Sequence, residues 1–161
     1  MGVSGCGKTT IGRLLAERLG GSFHDSDDFH PPENVEKMRA GIPLDDTDRL
    51  GWLRDLRSLI AIHDPANGAL VLACSALKHA YRDVLRQGDP ELCLILLEGP
   101  RQLLSERLTD RAQRDDHFMP PSLLDSQLAT LEEPTADEQA IRLDIREEPA
   151  DLVARAIAAL S

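Results

Sequence analysis

"GVSGCGKTT", residues 2–10, decides the fold. It matches G-x-x-x-x-G-K-[ST] in full, the pattern of a loop whose backbone N–H groups turn inward around phosphate oxygens. Gly2, Val3, Ser4, Gly5, Cys6, Gly7, Lys8, Thr9 and Thr10 all belong to that reading. The glycines permit the tight wrap, and the helix that follows brings the positive end of its dipole to the phosphates. Lys8 reaches the β- and γ-phosphates as a point charge, the Thr9 hydroxyl serves as a Mg2+ ligand, and Thr10 adds a phosphate contact. The motif alone is short enough to occur by chance, so its surroundings matter.

Those surroundings agree with it. Ile11, Leu14, Leu15 and Leu19 mark one face of a helix that Gly20-Gly21 ends. A short strand over about 21–25 leads to "HDSDDFHPPENVEKM", where Pro31-Pro32 predicts a helix start. Asp48 is read as the cap of a helix through Trp52, Leu53, Leu56, Leu59 and Ile60. "ALVLACS" and "LCLILLE" read as buried strands, each followed by a helix, and "IRLDI" precedes a closing helix through Leu152, Val153, Ala156, Ile157 and Leu160. The polar stretch 110–116 predicts a break. Strands alternating with helices imply a parallel sheet covered on both faces, in one domain spanning 1–161. A phosphate loop must be fed by a central strand, yet Met1 alone precedes it. The first strand therefore reads as missing, and an apolar segment upstream is expected.

Composition excludes several classes of function. A formal net charge of −10 argues against a nucleic-acid or membrane-surface binder. One Trp, one Tyr and three Phe provide no stacking platform for single strands. Cys6, Cys74 and Cys93 lack metal or disulfide spacing and fit a reducing, cytoplasmic setting.

The second chemical signal is Asp25-Ser26-Asp27, at the end of the strand after the loop. Strand C-termini face the ligand crevice in such sheets. There Asp25 can hold the metal through water, while Asp27 orients a substrate hydroxyl and takes its proton. Asp and Ser also cap helices, and DSDD precedes one. After a phosphate loop the catalytic reading is favoured.

"DDFHPPENVEKM", "GIPLDDTDRLGWL", "CSALKHAYRDVLR" and "HFMPPSLLDSQLATLEEP" follow one another in order. With the phosphate loop, they make the chain resemble the thermoresistant gluconokinase family, small P-loop kinases similar in build to shikimate and adenylate kinases. The resemblance implies a three-layer α/β/α fold, ATP and Mg2+ as cofactors, and phosphorylation of D-gluconate on its terminal hydroxyl. It also implies a homodimer, a substrate-binding helical region over about 28–66 and a lid over about 110–120. Gluconate is an anion with a row of hydroxyls, so cations and polar groups are expected around it. His30, Lys37, Arg49, Lys78, Arg82 and His117 fall inside the matched motifs and are assigned to the substrate. Lys37 and Arg82 also suit solvated helix faces. Either Arg111 or Arg114 is the lid arginine: spacing from Arg107 favours Arg111 and spacing to His117 favours Arg114, which is taken and joins Lys8 and Asp27 as catalytic. Another small-metabolite kinase of the shikimate type, or a nucleotide-binding regulator without catalysis, are the competing readings.

Overall fold

A computed structural model describes residues 1–114 and 123–160. Helix α1 (Lys8–Arg18) starts on the motif lysine, and its N-cap, Gly7, sits at φ 94°. An L-residue with a Cβ avoids that left-handed conformation, so glycine lets the loop turn straight into the helix. Strand β1 (Ser22–Asp25) ends in a 3-10 turn, Ser26–Phe29, and leads to α2 (Pro32–Arg39) and α3 (Asp46–Ile62). Then come β2 (Leu70–Ala73), α4 (His79–Arg86), β3 (Ile95–Glu98), α5 (Arg101–Arg114), α6 (Leu123–Thr130), β4 (Ile141–Asp144) and α7 (Pro149–Leu160).

β1 pairs in parallel with β2, Ser22 opposite Leu70, and β3 in parallel with β4, Ile95 opposite Ile141. Met1 and Gly2 join the two pairs. The Met1 ammonium donates to the Ile95 carbonyl, and the Leu97 N–H donates to the Met1 carbonyl at 3.0 Å. On the other side the Gly2 N–H donates to Ser75 O at 3.2 Å. The spatial order is therefore β1-β2-(Met1-Gly2)-β3-β4. The place of the expected first strand is central, and these two residues stand at its loop end. A Cβ on Gly2 would lie 2.6 Å from Leu97 O, so only glycine passes there. Behind them lies a cavity of about 390 Å³, walled by Leu70 and Leu72 on one side and Leu94 and Ile95 on the other.

Alternation along β2 shows the layering. Val71 packs into a cluster with Ile11 and Leu15 of α1, Leu104 of α5 and Leu152 of α7. Leu70 and Leu72 point the other way, toward Trp52 and Leu56 of α3 and Tyr81 and Leu85 of α4. The sheet thus separates two apolar layers, as a period of two demands.

Three boundaries differ from expectation. Asp45, not Asp48, caps α3: its carboxylate accepts from Asp48 N–H at 2.8 Å, and Asp48 accepts in return from Asp45 N–H at 3.1 Å. Helix α5 runs through Asp110 to Arg114, because Arg, Ala and Gln are good helix formers even without an apolar stripe. The strand at 92–98 starts at Ile95, where the β4 partner becomes available.

Burial in the slot lowers the Met1 amine pKa from 8.0 to about 6. An unfolded chain holds that proton up to about pH 8, so stability falls as pH drops from 8 to 6, by up to about 3 kcal/mol. Adding four apolar β-branched residues ahead of Met1 should raise the melting temperature by several degrees and abolish this dependence. Calorimetry at pH 6 and 8 checks both, and an unchanged melting temperature speaks against a strand-shaped slot.

Candidate active site

The phosphate loop is held closed by its own lysine. Lys8 Nζ donates to the carbonyls of Gly2 and Val3, at 3.1 Å each. The Thr9 hydroxyl donates to Asp25 Oδ2 at 2.9 Å, and Asp25 Oδ1 accepts the Asp27 N–H at 3.2 Å. One carboxylate therefore caps the turn after β1 and reaches the start of α1. The capping role expected of this acidic turn falls to Asp25.

Asp27 projects from that turn into a pocket that it lines with Ser4, Lys8, His30, Arg49 and Gln127. Burial pushes its pKa up, Lys8 and Arg111 pull it down, and the neighbouring Asp25 pushes it up. The net effect is a carboxyl held above its usual range, with burial the largest cause.

The far side of the pocket is built on α3. Trp52, 1% exposed, donates its indole N–H to the Ser26 carbonyl at 2.7 Å and stacks on the His30 ring, centroids 4.5 Å apart and 12° from parallel. This fixes the residue between the two aspartates and the plane of the imidazole together. Burial, and then the Arg49 charge, drive the His30 pKa down to about 4, so the ring is neutral near pH 7. His30 Nδ1 and Arg49 Nε are both buried without a hydrogen-bond partner among the described residues. Orphaned polar atoms are costly, and two lining one pocket mark where a polar ligand belongs.

Other cations expected at the substrate lie elsewhere. Lys37 pairs with Asp48 at 2.6 Å and Lys78 with Asp46 at 2.6 Å, and neither lines the pocket. Arg82, assigned to the substrate from its motif, stands in the interior among the described residues. It is fully buried, bidentate to Glu138 at 2.6 and 2.8 Å, and donates to the carbonyls of Ala76, Leu77 and Glu132. Its donors are spent on tying together the segment after β2 and the chain before β4. The Arg82 guanidinium holds the Glu138 carboxyl down at about 2. His117 lies outside the described residues, as does the Arg114 side chain, whereas the Arg111 charge reaches Asp27. Sequence reasoning missed Trp52, read as plain core, along with Gln127 and Glu138. The partner of a long-range contact leaves no periodic signal.

A loop built for a triphosphate tail opens directly onto a small pocket with an aspartate, a neutral imidazole and a guanidinium. Such a site belongs to a P-loop kinase of small metabolites. A shikimate kinase family model matches residues 4–160. The chain is 51% identical over 144 residues to a probable gluconokinase of Dictyostelium discoideum, covering 86% of this chain and 70% of that one. Among solved structures, an unliganded sugar kinase from Janibacter superposes with a TM-score of 0.91 at 47% identity, covering 99% of this chain and 91% of the other. A gluconokinase from Sinorhizobium meliloti does so with a TM-score of 0.86 at 42% identity, covering 99% and 88%. The chain belongs to the gluconokinase family of P-loop kinases.

Breaking a buried ion pair leaves an uncompensated charge, at a cost of about 3–5 kcal/mol. Arg82→Ala should therefore lower the melting temperature by about 10 °C, while the KM for the acceptor in whatever stays folded is unchanged. A selective rise in acceptor KM without loss of stability would return Arg82 to the substrate.

Proposed function

We propose that this protein transfers the terminal phosphoryl group of ATP to the terminal hydroxyl of D-gluconate, giving 6-phospho-D-gluconate. The observation that carries this reading is the opening of the phosphate loop onto a pocket shared by Lys8, Asp27, His30 and Arg49. Relatives bearing the name gluconokinase support the choice of acceptor.

Each residue has a task in that transfer. The amides of residues 5–9 and the N-terminus of α1 receive the phosphates, and Lys8 leaves the Gly2 and Val3 carbonyls to reach them. Thr9 and Asp25, already 2.9 Å apart, fit a divalent cation that takes few protein oxygens and completes its shell with phosphates and water. Thr9 and Asp25 would hold Mg2+ there, and its charge would offset that of the phosphates. Asp27 orients the acceptor hydroxyl and accepts its proton as the bond to phosphorus forms. Arg49 is the partner for the carboxylate of gluconate, matching a planar anion with a planar fork. His30, held neutral, exchanges hydrogen bonds with hydroxyls without adding charge. Of the two lid candidates Arg111 is taken here, because its charge acts on Asp27.

Coupled ADP release checks the reading: gluconate should drive turnover and shikimate should not. Asp27→Asn should lower kcat by about 10²–10⁴-fold. The wild-type rate should fall as pH drops through the raised Asp27 pKa, since the ionised form accepts the proton. Arg111→Ala should lower kcat by about 10³-fold. Losing activity in Arg114→Ala, with Arg111→Ala intact, would restore the assignment made from spacing.

A further inference from the structure

"SLLDSQLATLEEP" is a matched motif that the transfer just described leaves without a task. Its helix, α6, contributes to the pocket and to two apolar clusters. Leu123 packs with Met38 of α2 and with Leu44, ahead of α3, while Leu124 enters the cluster shared by α1, α5 and α7. Ser126, Gln127 and Thr130 line the acceptor pocket. Beyond the helix, Glu132 latches onto the segment that follows β2: its N–H donates to Leu77 O at 2.8 Å, and its carboxylate accepts the His79 N–H at 2.6 Å.

The contact that matters most reaches the phosphate loop. Gln127 Oε1 accepts the backbone N–H of Ser4 at 2.6 Å, across 123 residues of sequence. Ser4 is the third residue of the motif and itself lines the acceptor pocket. It stands at the boundary between nucleotide and acceptor. Gly2 is tied by its backbone to Ser75 in the sheet, and Lys8 and Thr9 restrain the loop through their side chains. Among the described residues, Gln127 adds a side-chain hydrogen bond from a residue that lines the acceptor pocket.

We propose that Gln127 is a positioning residue for phosphoryl transfer: its side-chain amide fixes Ser4, and with it the near wall of the loop, relative to the acceptor. The inference rests on the kinase reading above and deepens it. Phosphoryl transfer depends on placing donor and acceptor in line, and a small misplacement costs far more in rate than in binding. Without this hydrogen bond, Lys8 and the remaining amides still hold ATP, but the loop drifts against the acceptor.

Gln127→Met keeps the length of the side chain and removes the acceptor oxygen. Steady-state kinetics with ATP, Mg2+ and gluconate should show kcat lowered about 10–100-fold, with both KM values within about threefold of wild type. Ser58→Ala, which removes an exposed hydroxyl that bonds Arg54 O at 2.8 Å on α3 outside the pocket, should leave kcat within about twofold. If Gln127→Met fails to fold, Gln127→Asn, polar but one methylene short, takes its place with the same expectation. A variant with wild-type kcat, or one altered in KM alone, overturns the proposal. An inactive wild type overturns the kinase reading instead, so the two failures are distinct.

Discussion

The carboxylate of Asp25 is the joint on which the site turns. One oxygen takes the Thr9 hydroxyl and the other the Asp27 N–H, so the start of the first helix and the end of the next strand share one rigid group. Remove it, and the phosphate loop and the acceptor aspartate lose their common frame. A parallel sheet makes such a joint available, because every strand delivers its C-terminal end to the same edge. Trp52 then locks the turn from below through the Ser26 carbonyl, and carries His30 on its face.

Charge is partitioned with economy in this acidic chain. Cations that the motifs offer are divided between work at the pocket and work in the framework. Lys37 and Lys78 are matched to Asp48 and Asp46 on α3, which holds the acceptor wall against α2 and α4. Arg82 is consumed by Glu138 and three carbonyls. Arg49 keeps a buried nitrogen without a hydrogen-bond partner among the described residues, and it lines the pocket with Lys8.

The centre of the sheet shows how far two residues can define a strand position. Met1 and Gly2 bond to both neighbours in parallel register and set the loop at the right height. Behind them the apolar side chains of β2 and of the segment leading into β3 face each other across a cavity.

By itself, the sequence determined what is local. The phosphate loop, the helix it opens, the aspartates at the end of the next strand and the alternation of elements are all written in short-range patterns. Backbone geometry and hydrophobic period act over a few residues, so they can be read there. Tertiary structure decided which side chains are free. Lys37, Arg49, Lys78 and Arg82 look alike in the motifs, and only the positions of Asp48, Asp46 and Glu138 in space separate them. The bond from Gln127 to Ser4 and the stacking of His30 on Trp52 join segments distant in the chain. Such contacts depend on how whole elements pack, and no spacing along the chain encodes them.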